Sequence, residues 1–288
     1  DKEMSHEAKK IVPGNAKSSI YSIIKKFSLS YEDEKKLMKY IKQKKCIFIS
    51  TPFCKDAVDR LVEFNIPVFK IGSGECNNYP LVEYICSKKK PIILSTGMND
   101  IKSVAKSVKI IRKYRLPYAL LHCTNIYPTP PHLVRLDAML ELKRNFKDAI
   151  IGLSDHTETI FTSLGAIALG ASLVEKHFTD NKKSKGPDMS ASLDPLDLRS
   201  LIDGSKTIFS AMKGKKKAVK EEAKTIAFAF ASVAATENIF KGQKLTHKNI
   251  FPIRPGTGFF KIKDYEKLIG KIAKNKILKG NQLKKHDI

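Results

Sequence analysis

The sequence has no tryptophan, and arginine supplies only seven of its 53 basic residues. No apolar run approaches the roughly 18–20 residues that a membrane-spanning helix needs, so no membrane partner is expected. The opening DKEMSHEAKK is charged throughout and offers no apolar stretch of a secretory signal. CxxC pairs are missing as well. The five cysteines (Cys46, Cys54, Cys76, Cys86, Cys123) are an odd number, several beside apolar runs, and read as reduced thiols in a cytoplasmic protein. A net charge of +24 invites a nucleic-acid reading. The scarcity of arginine forks and stacking aromatics argues against it, because those groups clamp phosphates and read bases. The lysines are spread over nearly every expected helix, and the densest cluster, KGKKKAVK at 213–220, reads as a solvated linker. No nucleic-acid partner is expected, although part of the charge can draw an anionic substrate toward its site.

Short runs rich in Ile, Val and Leu alternate with stretches of helical periodicity. The strand candidates are CIFIS (46–50), VFKIG (68–72), PIILS (91–95), YALLH (118–122), AIIGLS (149–154) and SLVEKHF (172–178). Helices are expected at about 54–64, 100–114, 157–169 and 195–211. Near-continuous apolar strands alternating with helices form a parallel sheet covered on both faces. An open doubly wound sheet gathers its ligand groups at one switch point. Here polar residues close each strand in turn (Thr51, Lys70, Ser95, His122, Ser154, His177), the pattern of a (β/α)8 TIM barrel. Residues 1–45 read as a loop (IVPGNAKSSI) and a helix near 31–44, so the first two barrel strands are expected to be missing from this chain. The boundaries expected are a barrel domain at 1–212, a linker at 213–227 and a small α+β unit at 228–288. Within that unit IFKGQKLTHKNI and ILKGNQLKKHDI resemble each other, a short internal duplication with glycine turns.

His156 in LSDHT and His177 in EKHFT end consecutive strands, where both can reach one divalent metal through imidazole nitrogen. The alternative is two separate polar residues, each bonded to a nearby loop. His122 reads equally as a packed histidine or a ligand. Lys70 follows an apolar run and leads into GSGE, a costly place for a lysine unless it meets an anion. Gly72 and Gly74 permit turns that present N–H groups to a phosphate. Ser73, Ser95, Thr96, Ser154 and Asn125 add donors around the same rim, making a phosphate site. TNIYPTPP (124–131) is a proline-stiffened loop at that end, and KGPDMSASLDP (185–195) offers Asp188 as a helix cap or as a partner for a sugar hydroxyl.

The strings STPF, KIGSGECNNYPL, ILSTGMN, LLHCTNIYP, GLSDHT, EKHFTD and GPD resemble, in order and spacing, the bacterial N-acetylneuraminate (sialic acid) synthase family, along the whole chain. The C-terminal unit is similar to that family's antifreeze-like (SAF) domain. The resemblance implies condensation of phosphoenolpyruvate with open-chain N-acetylmannosamine and water, with loss of phosphate by C–O cleavage. It implies a divalent cation, most often manganese, on His156 and His177. It implies that Thr51, Lys70, Ser73, Ser95, Asn125 and Ser154 bind phosphoenolpyruvate. Asn15, Tyr127 and Asp188 would contact the sugar, with Glu75 near the reacting centre. Arg254 would reach the sugar's N-acyl group in the partner barrel of a homodimer that exchanges its small domains. Two departures stand out. The family's first two strands carry an acidic residue and a further lysine that this chain does not contain, and Ile226 stands where a relative has lysine. Rival readings are a synthase for legionaminate or pseudaminate, and an inactive remnant.

Overall fold

Apolar runs bounded by glycine and serine become the strands of one parallel sheet, and the periodic stretches between them become its covering helices. The protein is described by a computed structural model over residues 4–13, 17–184, 186 and 188–288. It divides into two compact units at Lys213 and Gly214.

In chain order the first unit holds α1 (Ile20–Phe27), α2 (Tyr31–Gln43), α3 (Lys55–Glu63), β1 (Phe69–Ile71), α4 (Tyr79–Ser87) and β2 (Ile92–Ser95). There follow α5 (Ile101–Lys113), β3 (Tyr118–Cys123), α6 (Leu136–Asn145), β4 (Ile150–Asp155), α7 (Phe161–Ala168), β5 (Leu173–Phe178), β6 (Ser192–Leu193) and α8 (Pro195–Ala211). The six strands lie in sequence order, and every neighbouring pair is parallel. This is a TIM-barrel-like half-barrel, whose edge strands β1 and β6 do not pair with each other among the described residues. Side-chain caps fix where helices begin: Ser30 starts α2, Asp100 starts α5 and Asp194 starts α8. The helices covering the sheet bury apolar stripes, as α5 does with Val104, Val108 and Ile111. Alternate strand residues (Phe69, Ile71, Ile92, Leu94, Leu120, Ile151, Leu153) join those stripes in the core. The intervening residues, including Lys70, Ser154 and Glu175, lie on the opposite, concave face.

Two local expectations are corrected, and one helix is added. CIFIS (46–50) is extended but is not a strand. Phe48 is buried near Phe64, ring centroids 6.5 Å apart, while Ile47 is 72% exposed. An apolar run signals burial, but a strand also needs ladder bonds to a neighbouring backbone, and this segment makes none among the described residues. The sixth strand is instead the two-residue β6, hidden in a stretch that reads as a loop. Helix α1 lies just beyond the segment read as a loop, and Ser19 caps it through the Ser22 N–H.

The second unit contains α9 (Ala223–Ala229), β7 (Ser232–Ala235), β8 (Ile250–Ile253) and α10 (Tyr265–Leu268), with β7 and β8 antiparallel. The internal duplication is visible atom by atom. Ala235 N–H donates to Asn281 O as Ala273 N–H donates to Gln243 O, and Ile239 and Ile277 exchange both backbone bonds. Gly242 and Gly280 adopt matching left-handed turns with φ of 83° and 84°. Asn249 and Asp287 each cap the residue three positions earlier, at 2.7 Å. Leu245 and Leu283 are the equivalent fully buried side chains. Replacing Leu283 with alanine is expected to cost about 2–5 kcal/mol. Urea unfolding of the whole chain checks it, and a cost near zero would show that this core is loosely packed.

Candidate active site

The register of the parallel strands brings polar residues together at their C-terminal ends. Cys123 pairs with Ser154 across β3 and β4, and Ser154 pairs with Glu175 across β4 and β5, so the three form one row. Gly152, one step earlier on that face, leaves no room for a side chain. A Cβ there would lie 2.4 Å from the Leu173 carbonyl oxygen and 2.6 Å from Leu121 Cδ2. Lys70 on β1 reaches toward the same row, and its Nζ sits 3.3 Å from Glu175 Oε2. The Ser154 hydroxyl donates to Glu175 Oε1 at 2.8 Å. Thr51, Lys70, Ser154, His156, Glu175, Lys176 and His177 border a cavity of about 220 Å³.

His156 follows β4 directly and is clasped by the loop after β3. Its Nδ1 lies 2.9 Å from Thr124 O, and its own carbonyl accepts from Thr129 N–H at 2.9 Å. A carbonyl oxygen can only accept, so the proton sits on Nδ1 and the Nε2 lone pair is left free. Burial holds the His156 pKa below the ordinary histidine value, favouring the neutral ring. The His156 and His177 ring centroids are 5.3 Å apart. Tyr127 lies against both, at 4.1 Å and 5.5 Å. Burial pushes the Tyr127 phenol up to about 12, which keeps it a neutral donor. Asp188 Oδ2 is 3.9 Å from His177 Nδ1. A neutral imidazole with an open Nε2 beside a second histidine suits a divalent cation. No third His, Cys, Asp or Glu completes a ligand set among the described residues, so water or substrate would fill the remaining positions.

The other sequence candidates divide between this end of the sheet and elsewhere. Ser73 Oγ accepts from Gly97 N–H at 3.1 Å. Ser95 Oγ is buried with no hydrogen-bond partner, an unmet group that a ligand can meet. Asn125 Oδ1 accepts from the Cys123 thiol at 3.3 Å. A Cβ at Gly72 would lie 3.6 Å from Thr51 Cγ2 and 3.7 Å from Glu75 Oε2, so Thr51 and Glu75 are neighbours. Burial raises the Glu75 pKa and favours its protonated form. His122 is a packed residue: its Nε2 lies 2.6 Å from Val134 O. Thr96 spends its hydroxyl on Leu121 O. Asn15 lies outside the described residues. Arg254 is exposed in the second unit, just beyond β8.

Sequence reasoning missed Glu175. The signal was available, because Glu175 precedes His177 by two positions and so shares its face of β5. It also missed the buried pair behind the site, Lys176 with Asp155, 3.6 Å apart. That pair anchors the loop after His156, since Asp155 accepts from Thr162 and Ser163 while Lys176 donates to the Thr157 carbonyl.

A sequence profile described as the NeuB family matches residues 1–217, and one described as the SAF domain matches residues 230–288. The chain belongs to the NeuB family. An N,N'-diacetyllegionaminic acid synthase of Campylobacter jejuni is 38% identical over 94% of this chain and 86% of its own length. A pseudaminic acid synthase of the same species is 31% identical over 94% of this chain and 79% of its own. Among solved structures, an N-acetylneuraminic acid synthetase from Leptospira borgpetersenii superposes with TM-score 0.68 at 28% identity, covering 72% of this chain and 73% of the other. Five of the strings quoted from the sequence, KIGSGECNNYPL, ILSTGMN, LLHCTNIYP, GLSDHT and EKHFTD, coincide with the C-terminal ends of β1 to β5.

Gly97 tests how tightly the site is packed. A Cβ there would meet Asn125 Oδ1 at 1.8 Å and Ser73 Oγ at 2.9 Å. Gly97→Ala should therefore displace Asn125 and weaken inorganic phosphate binding by about tenfold or more. Titration calorimetry reads the effect, and unchanged binding in a folded variant would remove Asn125 and Ser73 from the ligand site.

Proposed function

We propose that this chain is a nonulosonic acid synthase that condenses phosphoenolpyruvate with an N-acylated amino sugar and water. The observation that carries this reading is the single cavity in which Lys70 and Ser154 stand beside the histidine pair. Anion donors next to two metal-capable imidazoles suit a phosphorylated three-carbon acid meeting a carbonyl compound. Lys70, Thr51, Ser73, Ser95, Asn125 and Ser154 supply donors to the phosphate and carboxylate. Tyr127 and Asp188 offer a phenol and a carboxylate to sugar hydroxyls. A divalent cation, manganese in the first instance, would be held by His156 and His177 and would polarise the sugar aldehyde.

The enol carbon forms a bond to that aldehyde carbon, and water adds to the carbon bearing phosphate. The C–O bond then breaks, and phosphate leaves with the bond electrons. Glu75, whose pKa burial raises, is read as holding or returning a proton near the reacting carbons. N-acetylmannosamine is the sugar that the sequence strings favour. The 38% identity to a legionaminic acid synthase supports a diacetamido sugar equally. Arg254 is read as serving the sugar of a partner subunit in a homodimer.

Phosphate release from phosphoenolpyruvate, assayed separately with N-acetylmannosamine and with a diacetamido sugar, is the deciding measurement. One sugar should support turnover that chelator abolishes and manganese restores. His156→Ala or His177→Ala should then lower the rate by about 10²-fold or more, through loss of the cation. Release that ignores chelator and both substitutions would overturn the cation assignment, and no release with either sugar would overturn the reaction.

The shared-site reading has its own test. Mixed Arg254→Ala and His156→Ala subunits, with exchange shown by differently tagged chains, should recover up to roughly a quarter of wild-type activity under random pairing. No recovery despite exchange would place Arg254 in its own chain's site.

A further inference from the structure

Lys70 and Ser154, read above as anion donors, are both already engaged by one carboxylate. Glu175 accepts the Ser154 hydroxyl at 2.8 Å and sits 3.3 Å from the Lys70 ammonium. Lys70 is on β1 and Glu175 on β5, with β2, β3 and β4 between them, so this pair spans the concave face. The Lys70 side chain is only 12% exposed, which leaves its charge poorly hydrated and in need of a counter-charge. Glu175, 43% exposed, supplies that charge from a position with open space beside it.

We propose that Glu175 is a built-in occupant of the anion subsite, holding Lys70 and Ser154 until an incoming phosphate group displaces it. This rests on the reading of Lys70 and Ser154 as substrate donors. A ligand anion and the carboxylate compete for the same two donors, and their like charges cannot share the space cheaply. The carboxylate therefore turns toward solvent as the ligand enters. Two consequences follow from the same contact. The donors stay oriented in the empty site rather than collapsing, so little ordering remains to be done on binding. The carboxylate also sets a threshold: a dianionic phosphate outcompetes it, whereas a monocarboxylate merely matches its charge. Glu175 is thus a positioning and specificity residue for phosphate-bearing acids.

The experiment titrates inorganic phosphate and acetate, in chelator, into the full chain and its Glu175→Gln, Glu175→Asp and Lys70→Ala variants, with folding checked by circular dichroism. Glutamine keeps an acceptor for Ser154 but removes the competing charge. It should tighten phosphate binding by about tenfold or more and make acetate binding measurable. Aspartate, one methylene shorter, keeps the charge but cannot reach both donors, and should give an intermediate gain. It also decides the matter if the glutamine variant does not fold. Lys70→Ala should weaken phosphate. Weaker or unchanged phosphate binding in folded Glu175 variants, alongside weakened binding in Lys70→Ala, would overturn the proposal while leaving the anion subsite intact. Phosphate binding insensitive to Lys70→Ala, or absent from every form, would overturn the subsite reading and the proposal together.

Discussion

The close approach of β4 to β5 at Gly152 is the constraint on which the site depends. With the Leu173 carbonyl 2.4 Å from where a Cβ would stand, no side chain larger than hydrogen fits without moving a strand. That approach sets the register in which Ser154 pairs with Glu175 and, two residues on, brings His156 near His177. In a parallel ladder, a slip of one strand by one residue would turn that strand's groups to the helix-covered face. Lys70, Ser154, Glu175 and the two histidines are therefore positioned by backbone pairing and not by their own mutual attraction.

Charge placement then follows burial. Behind the sheet, Lys176 and Asp155 form a nearly dry ion pair, with side chains 4% and 0% exposed. The hydroxyls of Thr162 and Ser163 satisfy the aspartate, so the pair stiffens the loop after His156. In front, Lys70 is held by a carboxylate that faces open space. One lysine has a permanent partner, and the other has a replaceable one. The same division applies to the histidines: His122 gives its Nε2 to a backbone carbonyl, whereas His156 turns Nδ1 to the backbone and leaves Nε2 free.

The second unit follows a different logic. Its two halves repeat one backbone pattern, with paired left-handed glycines and paired caps, around Leu245 and Leu283. Little regular secondary structure is needed because each half supplies backbone partners to the other. The exposed Arg254 directly follows the short strand β8.

Composition and periodicity alone determined the alternation of strand and helix, the separate C-terminal unit, its duplication, and the polar residue closing each strand. These are local properties, written in the spacing of apolar residues and in glycine. The family strings added the identity of most candidate residues. Pairing was decided only in three dimensions. CIFIS carries a strand's composition but makes no ladder bond among the described residues, while Ser192–Leu193 carries almost none and still pairs with His177–Phe178. The roles of polar groups were likewise settled by contacts. His122 and His156 look alike in sequence, yet a carbonyl consumes the Nε2 of one and the Nδ1 of the other. Glu175 is one more acidic residue in the chain until the curvature of the sheet carries it across to Lys70, since a sequence specifies which face a side chain takes but not what stands opposite.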